Sequence, residues 1–293
     1  MDVAVSRGLS GGHAEDIGLS ETGAPIGITP HRHDVELNLT RFEIGLSRNF
    51  NDTWDAALRV PYFIKEQTAS VAFPSGGTAE EREAARRNGD IHHRTETYEG
   101  IGDPELTIGW RKRDLLGENS VFRFSLGLTL PFGETEEDPW LLGDAGLKHL
   151  HQQFGNGTFD PIADLYLGKP INDDWGWSVY AKARLPLYKN KYGYRGAPEL
   201  LLAPRLTYLV NRKLSISAGA AAQYFGYSEW DSGRDRNSGQ FSVNASASLG
   251  YKVSEQVTGS LTVLLPLYNK SLASSEDALD PAPTFSLSLG YSF

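Results

Sequence analysis

Residues 239–251 alternate without interruption. Phe241, Val243, Ala245, Ala247, Leu249 and Tyr251 share one parity, and Gln240, Ser242, Asn244, Ser246 and Ser248 share the other. Successive side chains on an extended strand point to opposite faces, so the stretch has one apolar and one polar face. The pattern recurs at 257–268, through Leu261, Val263, Leu265 and Leu267, and at the end, through Phe285, Leu287, Leu289, Tyr291 and Phe293. Segments 54–65, 104–112, 120–132, 175–188 and 214–227 read likewise, while 35–47, 159–169 and 198–210 are less regular. In 35–47 the apolar parity switches between Leu39 and Phe42, which predicts a β-bulge.

The connections sort by length. Short polar turns fall at 48–53, 113–119, 170–174, 211–213 and 253–256, and longer links at 67–99, 133–158, 189–197, 228–238 and 270–283. A soluble sandwich shares the alternation but has no reason to gather short turns at one end, whereas a membrane-spanning barrel does. Proline marks the long-loop side. Strands enter a long loop through Val60-Pro61-Tyr62, Leu130-Pro131-Phe132, Leu185-Pro186-Leu187-Tyr188 and Leu265-Pro266-Leu267-Tyr268, and leave through Asp103-Pro104, Asp160-Pro161, Ala197-Pro198 and Ala282-Pro283. Proline cannot donate to a ladder and belongs at such ends. Aromatic residues divide the same way: Trp54, Trp175, Trp177 and Tyr251 lie by short turns, and Tyr62, Phe132, Tyr188, Tyr224 and Tyr268 by long loops. That division fits two interfacial girdles.

Eleven strands follow residue 35. If the last ends on the short-turn side, the first of them descends and needs an ascending partner, for which Asp2-Val3-Ala4-Val5 is the candidate. The expected fold is all-β: a single transmembrane antiparallel β-barrel of about 12 strands, one domain over 1–293. Its long loops would be extracellular, and its short turns and both termini periplasmic. Residues 1–34 form either the first strand with its loop or an N-terminal arm or plug.

Composition removes competitors. With 28 basic against 37 acidic residues, a net charge of −9 and no basic run, nucleic acid is not an expected partner. No apolar run approaches the roughly 18 residues of a membrane-spanning helix, and a mean hydropathy of −0.37 does not exclude a barrel of alternating strands. There is no Cys, hence no disulfide or thiolate site. No apolar signal region opens the sequence, so an export signal is expected to have been removed.

The run Phe285-Ser-Leu-Ser-Leu-Gly-Tyr-Ser-Phe293 resembles the C-terminal assembly signal of Gram-negative outer-membrane barrels, which implies recognition of Phe293 by barrel-assembly machinery. Three further pieces resemble the outer-membrane transporters of the MetA-pathway phenol-degradation family. They are Ala24-Pro25-Ile26-Gly27-Ile28 before His31-Arg-His33, the Gly100-Ile-Gly102-Asp103 strand start, and the repeated Leu-Pro-Leu-Tyr. The resemblance implies passage of small molecules, aromatic ones included, across the outer membrane.

The alternation also assigns a lumen face. Arg59, Arg111, Arg123, Lys182, Arg184 and Arg205 oppose the lipid-facing parity of their strands. A cationic side chain facing mid-membrane lipid would cost about 2–4 kcal/mol, so these point inward. Fewer acids do so: Glu43, Asp55, Glu105 and Asp164. A basic excess along a pore would attract anions; alternatively the charges pair across a narrow lumen and fill it.

The seven His fall in expected long loops or the N-terminal segment. His13 stands apart from three pairs: His31/His33, His92/His93 and His149/His151. Imidazole suits Zn or Cu, and His31 and His33 point the same way on an extended chain, so the pairs are candidate metal ligands at the extracellular mouth. Two loop helices are expected, one after a capping box at Thr78-Ala-Glu-Glu81, the other over 144–154. The acidic run 134–138 offers carboxylates to divalent ions shared with lipopolysaccharide.

No catalytic constellation with motif support emerges, and no His falls in an expected strand, so an enzyme is not expected. The functional expectation is a passive outer-membrane channel for small solutes, anionic or aromatic, selected by the Arg/Lys-lined lumen. The alternative is a non-conducting barrel whose loops bind metal, lipopolysaccharide or a protein.

Overall fold

The computed structural model describes residues 1–272 and 279–293, and of His92 the backbone alone; part of the expected 270–283 link therefore lies outside the described residues. The elements in chain order are β1 (Asp2–Leu19), β2 (Pro25–Asn49), β3 (Trp54–Ala72), α1 (Ala79–His92), β4 (Glu96–Ile101), β5 (Glu105–Arg113), β6 (Val121–Thr129) and α2 (Pro139–Asp144). They continue with β7 (Pro161–Pro170), β8 (Trp175–Arg184), β9 (Glu199–Leu209), β10 (Leu214–Phe225), β11 (Glu229–Trp230), β12 (Gly233–Arg234), β13 (Gln240–Lys252), β14 (Val257–Ser271) and β15 (Thr284–Tyr291).

Each main strand pairs antiparallel with its neighbours in sequence. β4 and β5 both pair with β3 and share one place in the wall, interrupted at 102–104 where Pro104 cannot donate. The small hairpin β11–β12 stands apart in a loop. Pairing of β1 with both β2 and β15 closes the ring at twelve strands, from Asp2↔Glu43 on one side and Asp2↔Ser288 on the other. Closure leaves no sheet edge at the level of the apolar belt among the described residues, as a wall inside lipid requires. Residues 2–19 are thus a wall strand. Both chain ends lie at the short-turn rim, where the Met1 amino group donates to Leu289 O at 2.7 Å.

The barrel is apolar outside and polar inside. Ile44, Leu46, Ile108, Leu126, Leu206, Ile216, Leu261, Phe285 and Leu289 lie exposed on the outer face. Among the described residues, buried polar side chains outnumber buried apolar ones, the reverse of a water-soluble core. An apolar girdle of that extent needs hydrocarbon around it. Aromatic residues ring its short-turn end, with Trp54 opposite Trp110 and Trp175 against Tyr208 at 4.8 Å. Phe241 and Tyr268, 6.1 Å apart, stand at the other end.

The parity switch in β2 has a different cause from the one expected. β2 and β3 pair without a shift from Arg32↔Ala72 to Asn49↔Asp55. Below Leu39 the outward residues Phe42, Ile44 and Leu46 meet lipid. Above it the outward residues Glu36 and Asn38 leave the apolar belt, and inward Leu37 is buried. The environment changes while the pleat does not. A bulge does form next door, in β1 at Arg7-Gly8 opposite Asn38, where Gly8 takes φ +78° and its N–H donates to Asn38 Oδ1 at 2.9 Å.

A transmembrane strand needs about 9–11 residues, so β1, β2 and β3, at 18, 25 and 19 residues, rise beyond the belt as a wall over the mouth. α1 packs against that wall. Its Thr78–Glu81 capping box forms as expected, and Gly18 lets it approach closely, since a Cβ there would meet Ala84 Cβ at 2.9 Å. The second helix differs from expectation: it covers 139–144 in place of 144–154. Asp138 caps it, accepting from Trp140 N at 2.9 Å, Pro139 occupies its first turn, and Gly146 at φ +67° follows its end. The chain beyond runs irregularly into the barrel.

Candidate functional site

Period-2 geometry places Arg59, Arg111, Arg123, Lys182, Arg184 and Arg205 on the inner face, and five of the six meet acids there. Arg123 donates to both oxygens of Asp55, from Nη2 at 2.6 Å and Nε at 3.0 Å, and Arg111 reaches the same carboxylate at 3.4 Å. Gly109 makes the space, because a Cβ would stand 2.6 Å from Arg123 Nη2 and 2.7 Å from Asp55 Oδ1. Arg59 lies 3.4 Å from Glu105 and 4.0 Å from Asp164, Lys182 pairs with Glu105, and Arg184 pairs with Glu199. Tyr180 donates to Asp164 at 2.8 Å. Arg205, exposed to the lumen between Ser178 and Gly219, has no ion pair among the described residues.

These groups occupy one side of the interior. The other side presents small side chains: Ser217, Gly219 and Ala221 on β10, Ser242, Asn244, Ser246 and Ser248 on β13, Ser286 and Ser288 on β15. A charged half-wall faces a small polar half-wall, which leaves space between them. A cavity of about 540 Å³ opens at the short-turn end, lined by Asp55, Arg59, Arg111, Arg123, Thr258, Ser260 and Ser288 among others. A second, about 880 Å³, forms a vestibule at the long-loop end, with Trp140, Tyr194, Phe225, Arg236, His149 and His151 in its lining. The two share no lining residue. The strand register sets Glu105 opposite Arg59, which lines the short-turn cavity, and Glu199 between Arg184 and Phe225, which lines the vestibule, so the Glu105, Lys182, Arg184 and Glu199 pairs lie between the two.

The link 130–160 turns inward. Gln152 donates to Gln67 at 3.0 Å, Lys65 donates to Gln153 O at 2.8 Å, Phe154 packs on Phe63 with ring centroids 6.5 Å apart, and Asn156 N donates to Asp103 at 2.7 Å. Gly133 and Gly155 fit back to back there: a Cβ on Gly133 would meet Gly155 backbone at 2.6 Å. Residues 152–156 therefore run along the inner face of β3 and narrow the upper lumen. Alternation within strands carries no signal for such an infolded segment.

The histidines sit differently from their expected places. His13, His31 and His33 are on the raised parts of β1 and β2, so the expectation that no His lies in a strand is corrected; the hairpin extends well past the membrane belt. His31 and His33 are buried with Nε2 atoms 2.9 Å apart, and Glu15 Oε2 lies 3.2 Å from His33 Nε2. His93 stands beyond His33 at 5.5 Å between centroids, His151 6.3 Å beyond His93, and His149 5.0 Å from His151. These form a string and do not share a donor cluster with His31 and His33 among the described residues. The side chain of His92 lies outside the described residues. Burial holds the His149 imidazole below its ordinary pKa. Glu15 escaped sequence reasoning, although His13-Ala-Glu15 and His31-Arg-His33 are mirror-placed about Gly23.

No family model matches the sequence, and no curated protein does. The fold has solved counterparts. The crystal structure of an outer membrane channel from Pseudomonas putida F1 superposes with a TM-score of 0.58 at 11% identity, covering 100% of this chain and 94% of the other. A Pseudomonas aeruginosa FadL homologue matches at 0.44 and 12% identity (100% and 90% covered), and the P. putida toluene transporter TodX at 0.42 and 10% (100% and 89%). The closed ring of twelve strands, with its apolar exterior and charged interior, has the fold of an outer-membrane channel.

Proposed function

We propose that the protein is a passive channel of the bacterial outer membrane for small solutes, favouring aromatic anions. The observation that carries this reading is the split interior: the short-turn cavity lies between a charged and a small-residue half-wall, and a vestibule lined by loops and the raised hairpin opens at the opposite rim. Polar groups that line an interior replace water around a passing solute, and no nucleotide is needed for movement down a gradient. The short turns would face the periplasm, as would both chain ends. The loops would face lipopolysaccharide, and Phe293, fully exposed at the short-turn rim, would serve barrel assembly.

The preference is built in two stages. In the vestibule, Trp140, Tyr194 and Phe225 offer ring surfaces, and the Arg236 guanidinium lies 5.0 Å over the Trp140 ring, so an aromatic carboxylate finds a stacking face beside a cation. In the lumen, acids neutralise five of the six inward cations named above, which supports their role as wall structure. Arg205 then supplies charge that a passing anion can feel.

Planar-bilayer recording in a salt gradient tests the proposal, joined to liposome swelling with benzoate against a neutral sugar of similar size. Steady current with an anion-directed reversal potential and faster benzoate entry are expected. Silence from a correctly folded barrel would refute conduction and favour the alternative of a non-conducting binding barrel, for which the infolded 152–156 segment is the supporting observation.

A further inference from the structure

We infer that Glu15, His31 and His33 form a binding site for one divalent transition-metal ion of the zinc class at the crest of the β1–β2 hairpin. The placement follows from register. Cα partners His13↔His33 and Glu15↔His31 set two donors on each strand, at alternate positions and therefore on one face. Three donor atoms converge from that face, all within 4.8 Å of one another. His31 and His33 are 2% and 1% exposed, so ring positions are held by packing.

The outer contacts are those a metal ligand needs. His31 Nδ1 lies 3.2 Å from Thr29 O. A carbonyl can only accept, so Nδ1 carries the proton and Nε2 presents its lone pair toward His33. Asn88 of α1 donates to Glu15 Oε1 at 2.9 Å, which leaves Oε2 directed at His33. Thr29 is itself fixed, with N–H and Oγ1 both donating to Glu81 Oε1, at 3.0 and 2.7 Å. One helix thus orients both strands' ligands.

The dimensions suit a small tetrahedral ion. Zinc–nitrogen distances of about 2.0–2.1 Å require donor atoms about 3.3 Å apart. Two of the three edges, 2.9 Å between the imidazoles and 3.2 Å from His33 to Glu15, lie within a few tenths of an ångström of that value, and the third, from His31 to Glu15, is within 4.8 Å and closes as the Glu15 carboxylate turns toward the ion. Two imidazoles and one carboxylate fall short of tetrahedral by one ligand. Glu15 and His13 border the vestibule, and His13 Nε2 is 3.8 Å from Glu15 Oε2, so the fourth position falls to His13 or to water on that side. The nitrogen-rich set disfavours calcium and magnesium, which take oxygen ligands. The site is independent of whether the barrel conducts.

Calorimetric titration of the chelator-stripped barrel in detergent with Zn²⁺ tests the site, with Co²⁺ absorption as a second probe. One ion per chain is expected, with the intense visible band of tetrahedral Co²⁺. Glu15→Gln and His33→Ala should each weaken Zn²⁺ binding tenfold or more, and Asn88→Ala about tenfold through loss of orientation. His149→Ala should leave affinity unchanged. Heat-modifiable gel migration establishes that each variant remains a folded barrel. Absence of saturable Zn²⁺ binding, or equal affinity in wild type, Glu15→Gln and His33→Ala, would overturn the assignment.

Discussion

Arg123 on β6 grips Asp55 on β3 across the intervening β5, donating to both carboxylate oxygens at 2.6 and 3.0 Å over the bare backbone of Gly109. The pair is largely shielded, with Asp55 4% exposed. Removing one partner strands the other. Asp55→Ala, which also deprives Arg111, should cost about 2 kcal/mol, less than the roughly 3–5 kcal/mol of a fully buried broken pair because the short-turn cavity wets it. Urea unfolding in micelles measures this, and an unchanged midpoint would show the grip to be ornamental.

Arg205 and Arg123 should differ in their effect on permeation. Arg205→Ala removes a cation that no acid neutralises among the described residues, and the reversal potential should move toward cation preference. Lys substitution should retain the anion preference. If Arg205→Ala leaves selectivity untouched, the charge that acts on solutes lies elsewhere.

The two faces predict opposite tolerances. Leu126→Arg places a charge on the lipid side of β6 and should impair folding into vesicles by about 2–4 kcal/mol. Ser246→Arg, on the small-residue half-wall, should fold and reduce conductance. Equal folding of both variants would contradict the inside–outside assignment.

The infolded segment should act as a constriction. Phe154→Ala removes the packing on Phe63 and beneath Lys65, which lies 4.7 Å from the Phe154 ring. Single-channel conductance should rise with folding intact. A fall, or no change, would place the narrowest point at the Glu105, Lys182, Arg184 and Glu199 pairs instead.

Docking of α1 should depend on acid. The Thr78 backbone N–H, joined by Thr29, pulls the Glu81 pKa down from the usual carboxylate range to about 2. A depressed folded pKa means the ionised form is favoured in the docked state, so the contribution is full above about pH 5 and is lost as pH falls toward 2. A spin label at Glu80→Cys should gain mobility over that window, and adding Glu81→Gln should abolish the pH dependence. A mobility change only above pH 5 would assign the docking to other groups.

Much of this architecture is legible in the sequence itself. Alternation is a local property, repeated every two residues, so strand identity, hairpin phase, the two faces and the even strand count could all be read from runs such as Phe241 to Tyr251. The Thr78 capping box needs four consecutive residues and was equally readable. Lateral relations are a different matter. Asp55 meets Arg123, Glu15 meets His33, and Asp103 meets Asn156 over separations of 68, 18 and 53 residues. Those meetings depend on register, on strand height above the lipid and on how a long link folds inward. The same parity in β2 is lipid-facing at Ile44 and water-facing at Glu36, and only the height of the barrel in its surroundings distinguishes them. Local chemistry determined which face each residue takes; three-dimensional closure decided which residues share it, because contacts between distant segments exist only after the ring has formed.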